Sequence, residues 1–420
     1  MSRSGRLRSK RPALPADGIA AAQGRRRSPR RRGVALTASS AALVLAAGVA
    51  IALLASPGGH AAPLSSASRA AASKPLRPAA ALRVVSVTPA AGAHGVNGTD
   101  PIRVRFSAPL AAASPMPRLS PAIAGSWAVA GDEAVFTPAV GYFQHTRVTV
   151  TIPGGAAGMV SAAGARAGAG GLLASPVSES FTTGWFSTLR LQQLLAQLGY
   201  LPLTWTSLAP QAISPADAKA ELSAAYDPPA GTFAWQGSYP WNLTSQWKAG
   251  SANILDAGAV RTFEYDHGLT MDGIAGTNVW SGLLKAVAAG QDNQHGYTYA
   301  LADQSIPETL TIWHDGSVVL KSPANTGIPA SPTVDGTFPV YERFYFTHMQ
   351  GTNPDGSHYD DPVWYVSYFN GGDAVHYFPR GSYGWNQSLG CVELPWDQAK
   401  TAYSYLTYGS LVTVIGPVGG

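Results

Sequence analysis

A single cysteine, Cys391, stands in 420 residues, so no disulfide can close within the chain. Charge is scarce too: 13% of residues are charged, against ~25% in ordinary soluble domains. Glycine and proline, at 46 and 32 residues, are by contrast plentiful. That combination argues against coiled coils and helical repeats and for a loop-rich, largely β protein. Acidic residues are nearly missing from one end. Residues 1–32 hold eleven Lys or Arg and one acid, Asp17, a local charge of +10 in a chain whose formal net charge is +5. The remainder is mildly acidic, so the basic total points to a tail rather than to a nucleic-acid-binding body. No nucleic-acid partner is expected.

Residues 33–56, "GVALTASSAALVLAAGVAIALLAS", contain no charge and can cross the ~30 Å of a bilayer's hydrocarbon. Arginines immediately before such a run stay cytoplasmic, which places everything after residue 56 outside. A cleaved signal peptide is the rival, with "GHAAP" (59–63) as cleavage site. The run exceeds the roughly 7–15 apolar residues of a signal segment, which favours a retained membrane anchor. No cysteine follows it, so a lipoprotein is excluded. Export makes Cys391 informative. Outside the cytoplasm a free thiol is open to oxidation, and Ala or Val could fill a packing role, so a nucleophile is the favoured reading.

The organisation expected is multidomain. Residues 57–81 are small and polar and read as a flexible linker. Over 82–184, apolar residues recur in short alternating runs (Val85 and Val87, Val104 and Phe106, Val135, then Val148, Val150 and Ile152) between turn residues, as in a β-sandwich. His94 and His145 read there as solvated. "VVSVTPAAGAHGVNGTDPIRVRFSAPL" (84–110) resembles bacterial Ig-like modules. Over 185–289 the period becomes helical: Leu191, Leu194, Leu195 and Leu198 precede a stop at Gly199, and two further helices flank a turn at Asp272-Gly273. Leu191-Gln192, Gly199-Tyr200, Phe263, Gly268-Leu269, Asp272-Gly273, Gly276 and Trp280 resemble a three-helix peptidoglycan-binding module, with a longer, Trp- and Pro-rich middle at 202–257. Residues 297–416 read as a mostly β domain with one helix in "PWDQAKTAYSYLTYG", where Pro395 lies near the first turn and Gly409 beyond the end.

The chemistry gathers around Cys391. A thiol attacks as the thiolate, and a neighbouring histidine is the common means of forming it. His376 ends an apolar strand fifteen residues earlier, a separation that one loop can close. Gly390 admits close backbone approach, so the N–H groups of Gly390 and Cys391 are candidate donors to an oxyanion. A Cys/His acyl-transfer site is the bottom-up expectation.

These residues resemble the L,D-transpeptidase catalytic domain of the YkuD type. That family's pattern is a strand ending in His, a loop, then Ser/Thr-His/Arg-Gly-Cys-Val/Ile-Arg/Asn. His376, Ser388, Gly390, Cys391 and Val392 occupy the matching positions, and "SPTVDGTFPV" (331–340) and "WDQAKTAYSYLTYGSLVTVIG" (396–416) resemble the family's flanking segments. The resemblance implies that Cys391 attacks a tetrapeptide stem of peptidoglycan before its terminal D-Ala. A thioester forms, and the third-residue amine of a second stem resolves it into a direct crosslink. His376 would be base and then acid, the Tyr377 carbonyl would orient its ring, and Ser388 would steady the loop. Stem peptides and glycan are the implied partners, carbapenem-type β-lactams the implied covalent inhibitors, and no cofactor is needed. The implied location is the extracytoplasmic face, at the cell wall. Three positions depart from the pattern: Leu389 for His or Arg, Glu393 for Arg or Asn, and Tyr377 for Gly. Arg380 and Asn386 are expected to supply polar substrate contacts instead, and Tyr383 and Trp385 to line the groove.

His348, His358, Asp360 and Asp361 match no tight zinc spacing, and no metal is expected. An L,D-carboxypeptidase using water as acceptor and a non-catalytic wall-binding protein with a degenerate site are the alternative functions.

Overall fold

The computed structural model describes residues 78–209 and 213–417. The basic tail, the apolar segment 33–56 and most of the linker lie outside these residues. Among the described residues no helix is long and apolar enough to cross a membrane.

Seven strands build the first domain: β1 (Val84–Thr88), β2 (Ile102–Phe106), β3 (Arg118–Ser120), β4 (Gly125–Ala130), β5 (Glu133–Pro138), β6 (Arg147–Ile152) and β7 (Val177–Thr182), with helix α1 (Ala162–Ala167) before β7. They form two antiparallel sheets, β1-β2-β5-β4 and β3-β6-β7. Alternation in β2 is strict, with Ile102, Val104 and Phe106 inward and Arg103 and Arg105 outward. Together with Phe136, Val148, Val150, Ile152 and Phe181 they fill the space between the sheets. Two of the expected inward valines face elsewhere. A register irregularity between Val84 and Ser86 turns Val85 outward, at 61% exposed, and in β5 it is Ala134 and Phe136, not Val135, that are buried.

The second region keeps the three expected helices, α2 (Thr188–Gln197), α5 (Ile254–Asp266) and α6 (Thr277–Ala289), but is not a simple three-helix unit. Between α2 and α5 lie a two-stranded sheet of β8 (Leu203–Ser207) and β9 (Gly231–Trp235), helix α3 (Ala218–Tyr226) and the single turn α4 (Trp241–Thr244). Gly199 takes a left-handed φ of +75° just past α2, as a stop requires. Asn253 and Asp256 form a reciprocal capping box that starts α5. The core here includes Leu194, Leu195, Leu255, Phe263, Trp280 and Leu283, each worth roughly 1.5–3 kcal/mol when fully buried. Tyr297, Tyr299 and Leu411 of the next domain join the same core.

The third domain holds two sheets. Strands β10 (Thr298–Asp303), β11 (Thr309–His314), β12 (Ser317–Pro323), β13 (Gly336–Pro339) and β18 (Leu411–Ile415) make one, in the order β12-β11-β10-β18-β13. The other runs β14 (Glu342–Thr352), β15 (His358–Asn370), β16 (Asp373–Tyr377), β17 (Val392–Leu394). Helix α7 (Trp396–Tyr405) follows β17 directly, with Pro395 at its N-cap. Val375 and Val392 of the second sheet and Ile312 and Val412 of the first belong to one core.

The β14–β15 hairpin sets up the site. It is paired from Glu342–Tyr368 out to Thr352–His358, yet β16 reaches only as far as Trp364. Residues beyond that point have no third strand and form a two-stranded flap.

Candidate active site

β16 and β17 are parallel neighbours, with Val375 opposite Val392 and His376 opposite Glu393. Since Val375 and Val392 enter the core, alternation turns His376, Glu393 and the preceding Cys391 to the other face. The fifteen-residue separation is thus closed by a loop joining two adjacent parallel strands. Cys391 and His376 line one cavity of about 650 Å³, which is walled by the β14–β15 flap on one side and the 378–389 loop on the other.

His376 is 2% exposed, and its Nδ1–H donates to the Tyr377 carbonyl at 2.9 Å. That bond assigns the tautomer and leaves Nε2 as the free base. Burial pulls the imidazole below its ordinary value; the Tyr377 carbonyl and the Glu393 charge only partly oppose this. The Cys391 sulfur lies 3.9 Å from Met349 Sδ and 3.7 Å from the Gly372 carbonyl, in a small apolar cluster with Val363, Val366 and Ala374. Burial pushes the thiol up to about 12, and the charges of Asp373 and Glu393 add to the rise. Both groups therefore rest neutral near pH 7.

The turn before the nucleophile is tightly held. Ser388 Oγ donates to the Cys391 carbonyl at 2.6 Å and accepts the Gly390 N–H at 3.3 Å. The second contact is long for a hydrogen bond, so this N–H can be shared with an incoming oxygen. Gly390 has φ +113°, and a Cβ there would meet Asp373 Oδ1 at 2.5 Å. Backbone and space both demand glycine.

Glu393 and Arg380 explain one another. Arg380 Nε and Nη2 donate to the two Glu393 oxygens at 2.8 and 2.7 Å, Nη2 also donates to the Gln387 carbonyl at 2.9 Å, and Asn325 Nδ2 reaches Glu393 at 3.2 Å. Arg380 lies at the cavity wall as expected of a substrate contact, but its Nε and Nη2 are engaged in an internal ion pair, so only Nη1 is left for such a contact. Leu389 lines the cavity, and its carbonyl accepts from Ser331 Oγ at 3.0 Å.

Tyr383, Trp385 and Asn386 are not in the lining of this cavity. Tyr383 donates its hydroxyl to the Phe378 carbonyl at 2.6 Å, which folds the loop back on itself and carries Trp385 outward, 44% exposed. Sequence reasoning missed the flap residues Met349 and Tyr359 and the carboxylate of Asp373, all in the cavity wall. Of the four metal-ligand candidates, His348 pairs with Asp360 at 2.6 Å across the flap, His358 bonds Thr352, and Asp361 lies opposite Met349. Among the described residues no three His, Cys, Asp or Glu are grouped to hold a metal.

A thiol, a buried imidazole of fixed tautomer and a glycine turn with N–H donors make a site suited to attack on an acyl carbon. The comparisons with known proteins agree in kind. Residues 298–414 match the family model of the L,D-transpeptidase catalytic domain (YkuD), and residues 78–183 match that of the bacterial Ig-like domain. The chain carries an L,D-transpeptidase catalytic domain of the YkuD family behind a bacterial Ig-like domain. Neither match extends over 185–289, so the peptidoglycan-binding expectation there is not supported by them. No curated protein matches the chain. Among solved structures, an L,D-transpeptidase from Mycobacterium smegmatis is similar at 19% identity, over 80% of this chain and 99% of that one, with a TM-score of 0.27. L,D-transpeptidase 3 from Mycobacterium tuberculosis, in complex with a faropenem-derived adduct, has 16% identity over 79% and 98% and a TM-score of 0.27. The catalytic domain of the E. faecium L,D-transpeptidase has 27% identity over 29% of this chain and all of that one, with a TM-score of 0.27.

Proposed function

We propose that the protein is a cysteine-dependent L,D-transpeptidase that joins the third residues of two peptidoglycan stems through a thioester on Cys391. The observation that carries this is the shared cavity of Cys391 and His376 at the ends of adjacent parallel strands, within a domain of that family. In the first half-reaction the thiol proton passes to His376 Nε2 as sulfur attacks the carbonyl before the terminal D-Ala. The Gly390 and Cys391 N–H groups receive the developing oxyanion, and His376 returns the proton to the departing D-Ala amine. In the second, the amine of another stem attacks the thioester and releases the thiol. Tyr377 positions the base through its carbonyl, and Ser388 positions the nucleophile's turn. The neutral resting pair suits an exported enzyme, because a thiol is oxidised far more slowly than a thiolate. The work is expected outside the cytoplasm, at the wall, with residues 33–56 as anchor or signal.

Intact-mass spectrometry after exposure to a carbapenem tests the assignment. One adduct per chain is expected, absent in Cys391→Ala. An adduct retained by that variant, or none on the parent protein, would contradict it.

A further inference from the structure

With Arg380 paired to Glu393, the cavity keeps two carboxylates outside any ion pair, Asp361 on the flap, which feels Arg380 only at longer range, and Asp373 at the start of β16. Among the described residues neither enters an ion pair. They bracket the nucleophile. Asp361 pairs across the flap with Met349, whose sulfur is 3.9 Å from that of Cys391. Asp373 Oδ1 occupies the space that a Cβ on Gly390 would need. Facing them is His376, 2% exposed, with Nδ1 on the Tyr377 carbonyl and Nε2 without a partner among the described residues. Asp373, together with the paired Glu393, opposes the thiolate that acylation must form beside it. The presence of Asp361 and Asp373 is useful when a cation enters.

We propose that Asp373, assisted by Asp361 across the cavity, recognises the acceptor of the second half-reaction as a protonated primary amine and takes the first of the two protons that the nitrogen must lose. This rests on reading Cys391 as the carrier of the acyl group. The ammonium gives one proton to the Asp373 carboxylate and becomes a neutral amine. Its lone pair attacks the thioester carbon, the C–S bond breaks, and the second amine proton passes through His376 to the departing sulfur. Asp373 then releases its proton to water, so thioester and ammonium give amide, thiol and one proton. Burial lifts Asp373 to about 6, while Asn370 Nδ2, at 3.2 Å, and the Val334 N–H hold part of its charge. Tyr341 and Cys391 also face it, and its charge raises both. A carboxyl near 6 is charged at neutral pH yet a better proton acceptor than an ordinary one.

The test uses Asp373→Asn in the full chain, with a tetrapeptide stem whose third residue carries a side-chain amine as both donor and acceptor. Dimer, hydrolysed stem and D-Ala are followed by mass spectrometry, and carbapenem adduct formation reads acylation alone. Acylation is expected to speed up, by about threefold for each unit by which the thiol pKa falls once the neighbouring charge is gone, since a less basic thiolate is more abundant but less nucleophilic. Dimer formation is expected to fall about tenfold or more, with a raised acceptor KM, more hydrolysis, and partial recovery in Asp373→Glu. Asp361→Asn should shift dimer formation the same way, less strongly. An unchanged ratio of dimer to hydrolysis would overturn the proposal. So would a parallel loss of acylation and dimer, which marks a merely structural role. Dimer made by Cys391→Ala would instead overturn the nucleophile assignment beneath it.

Discussion

Arg380 and Glu393 form a bidentate pair in which the glutamate is almost sealed from solvent, its side chain 5% exposed and the arginine's 28%. Removing one partner of such a pair leaves a buried charge uncompensated. Arg380→Ala is expected to destabilise the protein by on the order of 3 kcal/mol in denaturant melts, and adding Glu393→Gln should recover part of that loss. If the single variant melts like the parent, the pair has no structural role. His376 supplies a pH prediction. Its folded pKa lies below the ordinary 6.5, so its contribution to stability is complete above that value. The contribution fades as pH falls through 6.5 toward the folded pKa, and His376→Gln should flatten this part of the stability–pH curve. Cys391 and His376 were legible because chain spacing and residue type already imply their chemistry. Asp373 was not, because strict period-two alternation assigns it to the face opposite His376, and only its place at the strand's first position, beside the Gly371-Gly372 turn, brings it into the cavity. The ion pair of Arg380 was not legible because its partner lies thirteen residues away on the neighbouring strand.

Among the elements, α5 shows how a helix can carry a local cost. Glu264 is buried, its Oε2 accepts the Gly273 N–H at 2.8 Å, and burial lifts its carboxyl to about 7. The raised folded value means that stability is complete below the ordinary carboxylate range and is lost as pH rises toward 7. Glu264→Gln keeps an acceptor for Gly273 and removes the charge. Its melting temperature should exceed the parent's at pH 8, and the difference should vanish below about pH 4.5, the ordinary glutamate range. No pH dependence in that difference would count against a buried charge here. Helix α2 was readable from its periodic leucines and the stop at Gly199, and α5 and α6 from the turn at Asp272-Gly273 between them. The β8–β9 sheet and α3 were hidden, since the strands are five residues each and half-exposed, within a Pro-rich stretch that carries no sustained period. The flap was hidden, because the Asp, Asn and Gly residues between Phe346 and Pro362 read as a solvated loop, whereas the structure extends both strands through them to Thr352 and from His358.

In the molecule as a whole, the helical region is fastened to the back of the catalytic domain rather than strung before it. Gly258 of α5 and Gly409 approach so closely that a Cβ on Gly258 would stand 2.7 Å from the Gly409 carbonyl oxygen, and Thr262 donates to the Tyr408 carbonyl at 3.0 Å. Gly258→Val should force this contact apart and cost roughly 1–3 kcal/mol, with lowered solubility as Tyr299 and Leu411 lose cover. The Ig-like domain ahead of the catalytic domain was legible; the fusion of the helical region to the catalytic domain was not, because Gly409 reads equally well as a plain helix stop. The Ig-like domain meets the same helical region through Tyr226, whose hydroxyl donates to the Tyr142 carbonyl at 2.8 Å. The most direct measurement of the central claim is product analysis of the purified full-length protein with a tetrapeptide stem as sole substrate. Free D-Ala together with a third-to-third-residue crosslinked dimer is expected, and neither should form with Cys391→Ala. A dimer formed by that variant, or D-Ala released with no dimer under saturating stem, would contradict it.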